Sequence, residues 1–200
     1  MTLKHDESIL KTLLSTLAIG VLVFAARSSL ADHYHVPTGS MEPTVEVGDR
    51  ILVNKAAYGF KVPFTQNYLT HLDVPLAGDV VVLDSPEDEK TLLKRVVGLP
   101  GQTITVLDGN VFVDGIKSDV EMASGSPTET IGDKRHGLSF AYGGGDDWGP
   151  ALIPEGKVLV MGDNRGNSHD GRHFGLVDIE TVWGRAEKIY FRGGFQWLDL

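Results

Sequence analysis

The chain has 200 residues, of which 42% are hydrophobic and 22% are charged, and this composition is ordinary for a folded protein. Its length suits one compact domain with a core. The formal net charge of −9 argues against a nucleic-acid partner, because no basic stripe offsets it. The chain has no cysteine, which excludes disulfides, thiolate catalysis and metal sites with cysteine ligands.

Residues 9–26 form the most apolar stretch of the chain. At about 1.5 Å per residue, a helix of this length nearly crosses a hydrocarbon core of roughly 30 Å. Lys4 precedes the stretch and Arg27 follows it, which weakly favours a cytoplasmic N-terminus. We therefore expect residues 1–31 to form a cytoplasmic stub and a transmembrane anchor, and residues 32–200 to form an extracytoplasmic domain.

The same stretch also fits a cleaved signal peptide. Ser29 and Ala31 are small residues at the positions that a cleavage site before Asp32 requires. A buried helix is a third interpretation, but so long an apolar run is unusual in a soluble core. The first two interpretations both place the rest of the chain outside the cytoplasm.

Downstream of residue 45 the sequence indicates strands, because short β-branched runs are bounded by turn residues. The predicted strands cover residues 50–54, 79–83, 91–97, 103–107, 110–113, 157–161 and 186–191. Asp108-Gly109 separates two of them and predicts a hairpin. No long helical period follows Ala31, so we expect a mainly β fold, with a compact antiparallel domain after the anchor.

Residues 118–150 differ from their surroundings, since they are rich in glycine, serine and aspartate. This composition predicts a short, loop-rich insertion in the β domain. The tail, residues 193–200, carries Phe195 and Trp197. We expect it to pack onto the sheet, with a membrane interface as the alternative.

Ser40 lies in the sequence Val-Pro-Thr-Gly-Ser-Met-Glu-Pro-Thr, residues 36–44. Pro37 and Pro43 fix φ on either side of it and favour extended backbone before them. Gly39 leaves bare backbone beside the hydroxyl, where another chain could approach. The stretch is therefore either an ordinary turn or a mount that presents a nucleophilic serine.

A serine nucleophile needs a base, and lysine serves at neutral pH only when burial lowers its pKa. Lys94 lies in an apolar strand among Leu92, Leu93, Val96 and Val97. This setting indicates a general base, although a snorkelling lysine on an edge strand is the alternative.

A polar, glycine-rich loop at residues 162–175 follows the apolar strand at residues 157–161. Ser168 could hydrogen-bond a neutral lysine and orient it, and Asp170 and Arg172 could pair with each other. Polar residues at the end of a buried strand often form sites. A solvated turn loop is the alternative interpretation.

Two other sites are conceivable in the same loop. His169 and His173 are four residues apart, as in a helical zinc motif, but the surrounding glycines disfavour a helix and aspartate replaces the usual glutamate. A triad of Ser40, His169 and Asp170 is disfavoured, because neighbouring residues of a strand point to opposite faces.

Taken together, these stretches resemble the bacterial type I signal peptidase family, the membrane-anchored Ser/Lys leader peptidases. Five blocks in the same order make the resemblance specific, although each block alone is weak. The matching residues are Pro37-Thr38-Gly39-Ser40-Met41-Glu42-Pro43-Thr44, Gly48-Asp49 with Val53-Asn54-Lys55, Gly78-Asp79-Val80-Val81, Lys94-Arg95-Val96-Val97-Gly98-Leu99-Pro100-Gly101, and Gly162-Asp163-Asn164-Arg165 with Asn167-Ser168, Asp170, Arg172 and Phe174-Gly175.

The resemblance implies a role for each site residue. Ser40 would be the nucleophile and Lys94 the general base, while the Thr38 hydroxyl and the Ser40 backbone N–H would meet the oxyanion. Thr38 stands where many relatives carry serine, which keeps the hydroxyl and adds a methyl group. Ser168 would orient the lysine amine. Two further residues would support the site: Asp170 and Arg172.

The implied activity is that of a membrane-bound serine endopeptidase that removes signal peptides from exported preproteins. Its partners would be such preproteins and membrane lipid, with no nucleic acid, cofactor or metal. The resemblance favours a retained, single-pass anchor in the plasma membrane, with the catalytic domain on the extracytoplasmic side. Met41 is expected to face lipid and to help keep Lys94 dry.

Other functions are compatible with the sequence. A specialised peptidase of the same family could process conjugation or pilin substrates. A membrane-tethered β module that only binds partners is the alternative from outside the enzymes.

Overall fold

The computed structural model describes residues 11–21, 30–61, 68–71, 73–88, 90–123 and 126–200. Residues 11–21 are helical. The predicted anchor and its flanks lie in large part outside the described residues. Within the described ranges, no helix is both long enough and apolar enough to cross a membrane.

The described residues are mainly strands, as predicted. Their bounds are β1 (Ala31–His35), β2 (Arg50–Asn54), β3 (Gly59–Lys61), β4 (Tyr68–His71), β5 (Val80–Asp84), β6 (Thr91–Gly98), β7 (Thr103–Leu107), β8 (Asn110–Val113), β9 (Ile116–Lys117), β10 (Asp119–Ala123), β11 (Ser126–Ile131), β12 (Lys134–Gly137), β13 (Trp148–Leu152), β14 (Lys157–Met161), β15 (Val177–Asp178), β16 (Val182–Phe191) and β17 (Phe195–Asp199). Short helical turns are Arg165–Asn167, Gly171–Phe174 and Ile179–Thr181.

The main sheet is antiparallel and has the strand order β1-β2-β16-β5-β6-β14-β15, with β17 also paired to β16. Strand β5 is buried on both faces. Val80 and Val82 pack into one core cluster, whereas Val81 and Leu83 pack into another on the opposite side. This double burial explains why β5 reads as a continuous apolar run rather than an alternating one.

Strands β7 and β8 form the predicted hairpin, within a smaller sheet of order β13-β7-β8-β9. Asp108 and Gly109 at its turn both have positive φ, at 45° and 72°. That combination fits a type I′ turn, whose twist matches the flanking strands. The hairpin prediction is therefore confirmed, and both of its strands have the predicted bounds.

The prediction of a loop-rich insertion at residues 118–150 is wrong for its first half. Strands β10, β11 and β12 form a three-stranded antiparallel sheet, which we name the excursion sheet. Composition concealed it because Glu129 of β11 is fully buried, so a charged residue occupies an inward position. Irregular backbone dominates only between β12 and β13.

The C-terminal tail joins the main sheet through β17, as expected. Its aromatic side chains, however, contribute little to the core. Phe195 is 76% exposed and Trp197 is 59% exposed. The tail therefore packs mainly through backbone pairing with β16.

Candidate active site

Ser40 lies in a turn that follows β1 and Val36. We name residues 37–45 the nucleophile turn, after the role that the family resemblance implies for Ser40. Two backbone hydrogen bonds close the turn, from Glu42 N–H to the Gly39 carbonyl at 3.2 Å and from Val45 N–H to the Met41 carbonyl at 2.9 Å. Met41 is 1% exposed and packs into the core. The expectation that Met41 faces lipid is therefore wrong. Its side chain packs into the core and holds the turn in place.

Asn164 ties this turn to the loop after β14. Its backbone N–H donates to the Ser40 carbonyl at 3.1 Å, and its side-chain amide donates to the Gly39 carbonyl at 3.0 Å. Sequence reasoning assigned Asn164 no role of its own. A Cβ on Gly39 would lie 2.9 Å from the Glu42 carboxyl carbon, so the Glu42 side chain would have to move to admit one.

Lys94 projects from β6 and is 3% exposed. Its Nζ donates to Ser40 Oγ at 2.7 Å, although the two residues are 54 positions apart. Burial lowers the pKa of the Lys94 amine to about 8, while the negative charges of Asp170 and Asp163 act in the opposite direction. A substantial fraction of this amine is thus neutral at mildly alkaline pH.

Ser168 is buried beside the nucleophile turn. A Cβ on Gly162 would lie 2.3 Å from Ser168 Oγ and 2.4 Å from the Ser40 carbonyl oxygen, so only glycine fits between them. The Ser168 hydroxyl hydrogen-bonds the Asp170 carboxylate and helps to lower the pKa of that carboxyl. This hydroxyl therefore lies between the nucleophile turn and the Asp170 carboxylate.

Asp170 and Arg172 form a buried ion pair. Arg172 Nε donates to Asp170 Oδ1 at 2.9 Å, and the Gly162 N–H donates to Asp170 Oδ2 at 2.9 Å. Burial would raise the pKa of Asp170, but these hydrogen bonds and the Arg172 charge outweigh it and hold the pKa below its usual value. Arg172 also donates to the carbonyls of Gly144 and Arg165, both at 2.6 Å. The pair thus fixes the shape of the loop.

A second charged network lies behind the site, and sequence reasoning missed it. Arg95 pairs with Asp163 at 2.8 and 2.7 Å, and Arg165 pairs with Glu129 of the excursion sheet. His136 Nε2 lies 3.3 Å from Glu129 and 3.7 Å from Asp163. All five side chains are buried. Arg95 follows Lys94 and Asp163 precedes Asn164. The network therefore supports both the strand that carries Lys94 and the loop that binds the Ser40 turn.

The histidines of the loop have other partners. His169 Nε2 lies 2.6 Å from a Glu87 carboxylate oxygen, and both side chains are more than half exposed. His173 Nε2 lies 3.5 Å from Asp146. Because Asp170 is bound by Arg172, His169 does not form the triad considered above. In the described part of the chain, no group of three acidic, histidine or cysteine residues is arranged to hold a metal.

A groove of about 320 Å³ leads to the Ser40–Lys94 pair. Its walls come from β1 with the following turn, from β6 with the preceding residue, and from one residue each of β2 and β5. The lining residues are Tyr34, His35, Val36, Pro37, Thr38, Ser40, Met41, Ile51, Val82, Lys90, Thr91, Leu92, Leu93 and Lys94. We name it the entry groove; most of its lining is apolar.

Comparison with known proteins points to one family. Residues 9–191 match the model of the family described as signal peptidase, peptidase S26. Signal peptidase I of Pseudomonas fluorescens is 33% identical over 193 residues, which cover 84% of this chain and 68% of that protein. Signal peptidase I P of Bacillus subtilis subsp. natto is 34% identical over 172 residues, which cover 86% and 83%.

Among solved structures, a signal peptidase I from Enterococcus faecalis V583 is 28% identical, with a TM-score of 0.43. The match covers 57% of this chain and 97% of that one.

A buried amine that is hydrogen-bonded to a serine hydroxyl and lines a largely apolar groove suits the chemistry of a serine hydrolase. The chain belongs to the signal peptidase family, peptidase S26. It is accordingly a serine peptidase that cleaves signal peptides.

Proposed function

We propose that this chain removes signal peptides from exported preproteins through an acyl-enzyme, with Ser40 as nucleophile and Lys94 as general base. The observation that carries the proposal is the 2.7 Å hydrogen bond between the Lys94 amine and the Ser40 hydroxyl in a buried setting. A lysine can act as a base there because burial brings its pKa down to about 8.

The reaction follows from this pair. The neutral Lys94 amine takes the proton of Ser40 as Oγ attacks the carbonyl carbon of the scissile bond. The resulting ammonium then gives its proton to the departing amine, and water hydrolyses the acyl-enzyme with Lys94 again as base. The backbone N–H of Ser40 and the hydroxyl of Thr38 are proposed to bind the oxyanion. Thr38 lines the entry groove, which supports this assignment.

Ser168, Asp170 and Arg172 are proposed to position the base rather than to react. The hydroxyl oxygen of Ser168 lies against Gly162, next to the nucleophile turn, where it is proposed to accept a hydrogen bond from the lysine amine. Asp170 favours the charged form of Lys94, whereas Arg172 opposes it. Because the Arg172 charge opposes the effect of the Asp170 charge, the pair raises the pKa of Lys94 less than Asp170 alone would.

The entry groove is proposed to receive the end of the signal peptide, which has small residues just before the cleavage site. Its apolar lining suits an extended segment with small and apolar side chains. The substrate repertoire within preproteins, including any restriction to conjugation or pilin proteins, would be set by this groove.

Membrane lipid is the second partner that we propose. The anchor would cross the plasma membrane once, which puts residues 32–200 on the extracytoplasmic side. Ala31 begins β1 only nine positions before Ser40, so the site would lie near the bilayer surface. Exposed aromatic side chains of β16 and β17, including Phe195 and Trp197, suit a membrane interface.

The test is processing of a preprotein by the full chain in lipid vesicles. Ser40→Ala and Lys94→Met should each abolish processing, while circular dichroism shows an unchanged fold. Retained processing by the Ser40→Ala protein would eliminate the proposed nucleophile. Full activity of the Lys94→Met protein at neutral pH would require a different base.

A further inference from the structure

A second groove of about 500 Å³ lies beyond the nucleophile turn, on the side of the excursion sheet. We name it the exit groove. Side chains of β10, β11 and the segment after β12 form one wall, and the nucleophile turn forms the other. Its lining residues are Pro43, Val120, Met122, Ser126, Pro127, Leu138, Ser139, Phe140 and Ala141.

The exit groove is joined to the active site by backbone hydrogen bonds. The Ser139 N–H donates to the Asp163 carbonyl and the Arg165 N–H donates to the Ser139 carbonyl, both at 3.0 Å. Asn164, between those two residues, donates to the Ser40 carbonyl. A single backbone segment, residues 163–165, therefore separates Ser139 in the wall of the groove from Ser40.

Pro43 gives a second measure of this proximity. It follows Ser40 by three residues, so their Cα atoms are at most roughly 11 Å apart. The excursion sheet packs directly on it, since a Cβ on Gly137 would lie 2.8 Å from Pro43 Cγ. An extended peptide covers about 11 Å in roughly three residues.

The entry groove and the exit groove have no lining residue in common. They contact successive parts of the same turn, because the first includes residues 36–38, 40 and 41 and the second includes Pro43. A substrate that fills the entry groove up to Ser40 must continue past the turn after its scissile bond. The exit groove lies within reach of the next few residues.

We propose that the exit groove binds the first residues of the mature part of the preprotein and prefers an apolar side chain about two to four positions after the scissile bond. This inference rests on the proposed function. The preference follows from the apolar walls, which Val120, Met122, Leu138 and Phe140 provide. The excursion sheet would thereby act as a substrate-binding element.

Met122 is the side chain best placed to report such binding. It is 73% exposed, so a charged replacement should not disturb the fold. Ile116 of β9 offers a matched control, since it is 75% exposed and lines neither groove.

The experiment uses the full chain in detergent and two peptides with the same signal segment and scissile bond. The short peptide ends one residue after the bond, and the long peptide continues with four leucines. The wild-type protein should cleave the long peptide with the higher kcat/KM. Met122→Glu should lower kcat/KM for the long peptide by about five- to tenfold and leave the short peptide unchanged. Ile116→Glu should change neither value.

A second arm needs no protein variant. Replacing the four leucines by aspartates should bring kcat/KM of the wild-type protein down to the value of the short peptide or below it. If the wild-type protein cleaves all three peptides equally well, the inference is overturned while the proposed function stands. Equal losses on the short and long peptides in Met122→Glu would also overturn it. If the wild-type protein cleaves none of them, the proposed function itself fails.

Discussion

Replacing Lys94 by methionine should abolish activity and yet stabilise the protein at neutral pH. The amine is almost fully buried, and its pKa falls from 10.5 to about 8. At about 1.4 kcal/mol for each pKa unit, this shift means that burying the charged amine lowers the stability of the protein by about 3 kcal/mol at pH 7. Methionine has a similar shape and no charge, so it removes this cost.

The hydrogen bond to Ser40 offsets part of the gain. Its loss costs about 1 kcal/mol. The free energy of unfolding of Lys94→Met should therefore exceed that of the wild-type protein by about 2 kcal/mol at pH 7. Because Trp183 lies in the core, urea unfolding followed by tryptophan fluorescence is a suitable measurement.

The pH dependence gives the sharper check. The pKa of Lys94 is lower in the folded state than in the unfolded state. Between about pH 8 and 10.5 the unfolded state therefore binds more protons than the folded state. The stability of the wild-type protein should rise with pH across that range. By pH 9.5 the wild-type protein should have regained about 2 kcal/mol, and the two proteins should be about equally stable. Lys117→Met, on an exposed lysine of β9, is the control and should behave like the wild-type protein. This prediction is wrong if the methionine variant is less stable than the wild-type protein at pH 7, or if the stability difference between the two proteins does not narrow by pH 9.5.

Three further predictions concern catalysis and the buried network. The kcat/KM of the wild-type protein should rise with pH to a plateau, with a midpoint near 8, because only the neutral Lys94 amine accepts a proton; a flat profile between pH 6 and 10 would contradict it. Thr38→Val should lower kcat by roughly 10²- to 10³-fold with little change in KM, whereas Thr38→Ser should retain activity in steady-state assays; equal kcat values in both variants would remove Thr38 from the oxyanion site. Glu129→Leu should destabilise the fold by about 3–5 kcal/mol, measured by urea unfolding, because it leaves Arg165 charged and buried. Glu121→Leu removes one partner of an exposed ion pair in the same sheet and should cost less than about 1 kcal/mol. Equal losses of stability in the two variants would show that the buried ion pair stabilises the fold no more than the exposed one.

The local elements follow from short stretches of the sequence. Asp108-Gly109 specified a tight turn because few residues tolerate positive φ at both of its central positions. The short β-branched runs gave the bounds of β2, β7, β8 and β14 to the residue. These signals work because turn chemistry and strand preference act over two to six neighbouring residues. The order of the motif blocks also pointed to the family that the comparisons establish.

Contacts between distant residues of the site depend on how the whole chain folds. Ser40 and Lys94 come together because the nucleophile turn is bound to the loop after β14, and β14 pairs with β6. Whether Met41 faces outward or into the core depends on how that turn docks, which no local pattern records. The excursion sheet was hidden for a similar reason: Glu129 reads as a surface residue until Arg165, 36 positions away, supplies its buried partner. Burial and ion pairing are set by neighbours that the chain brings together only on folding, and that is where sequence patterns stop being informative.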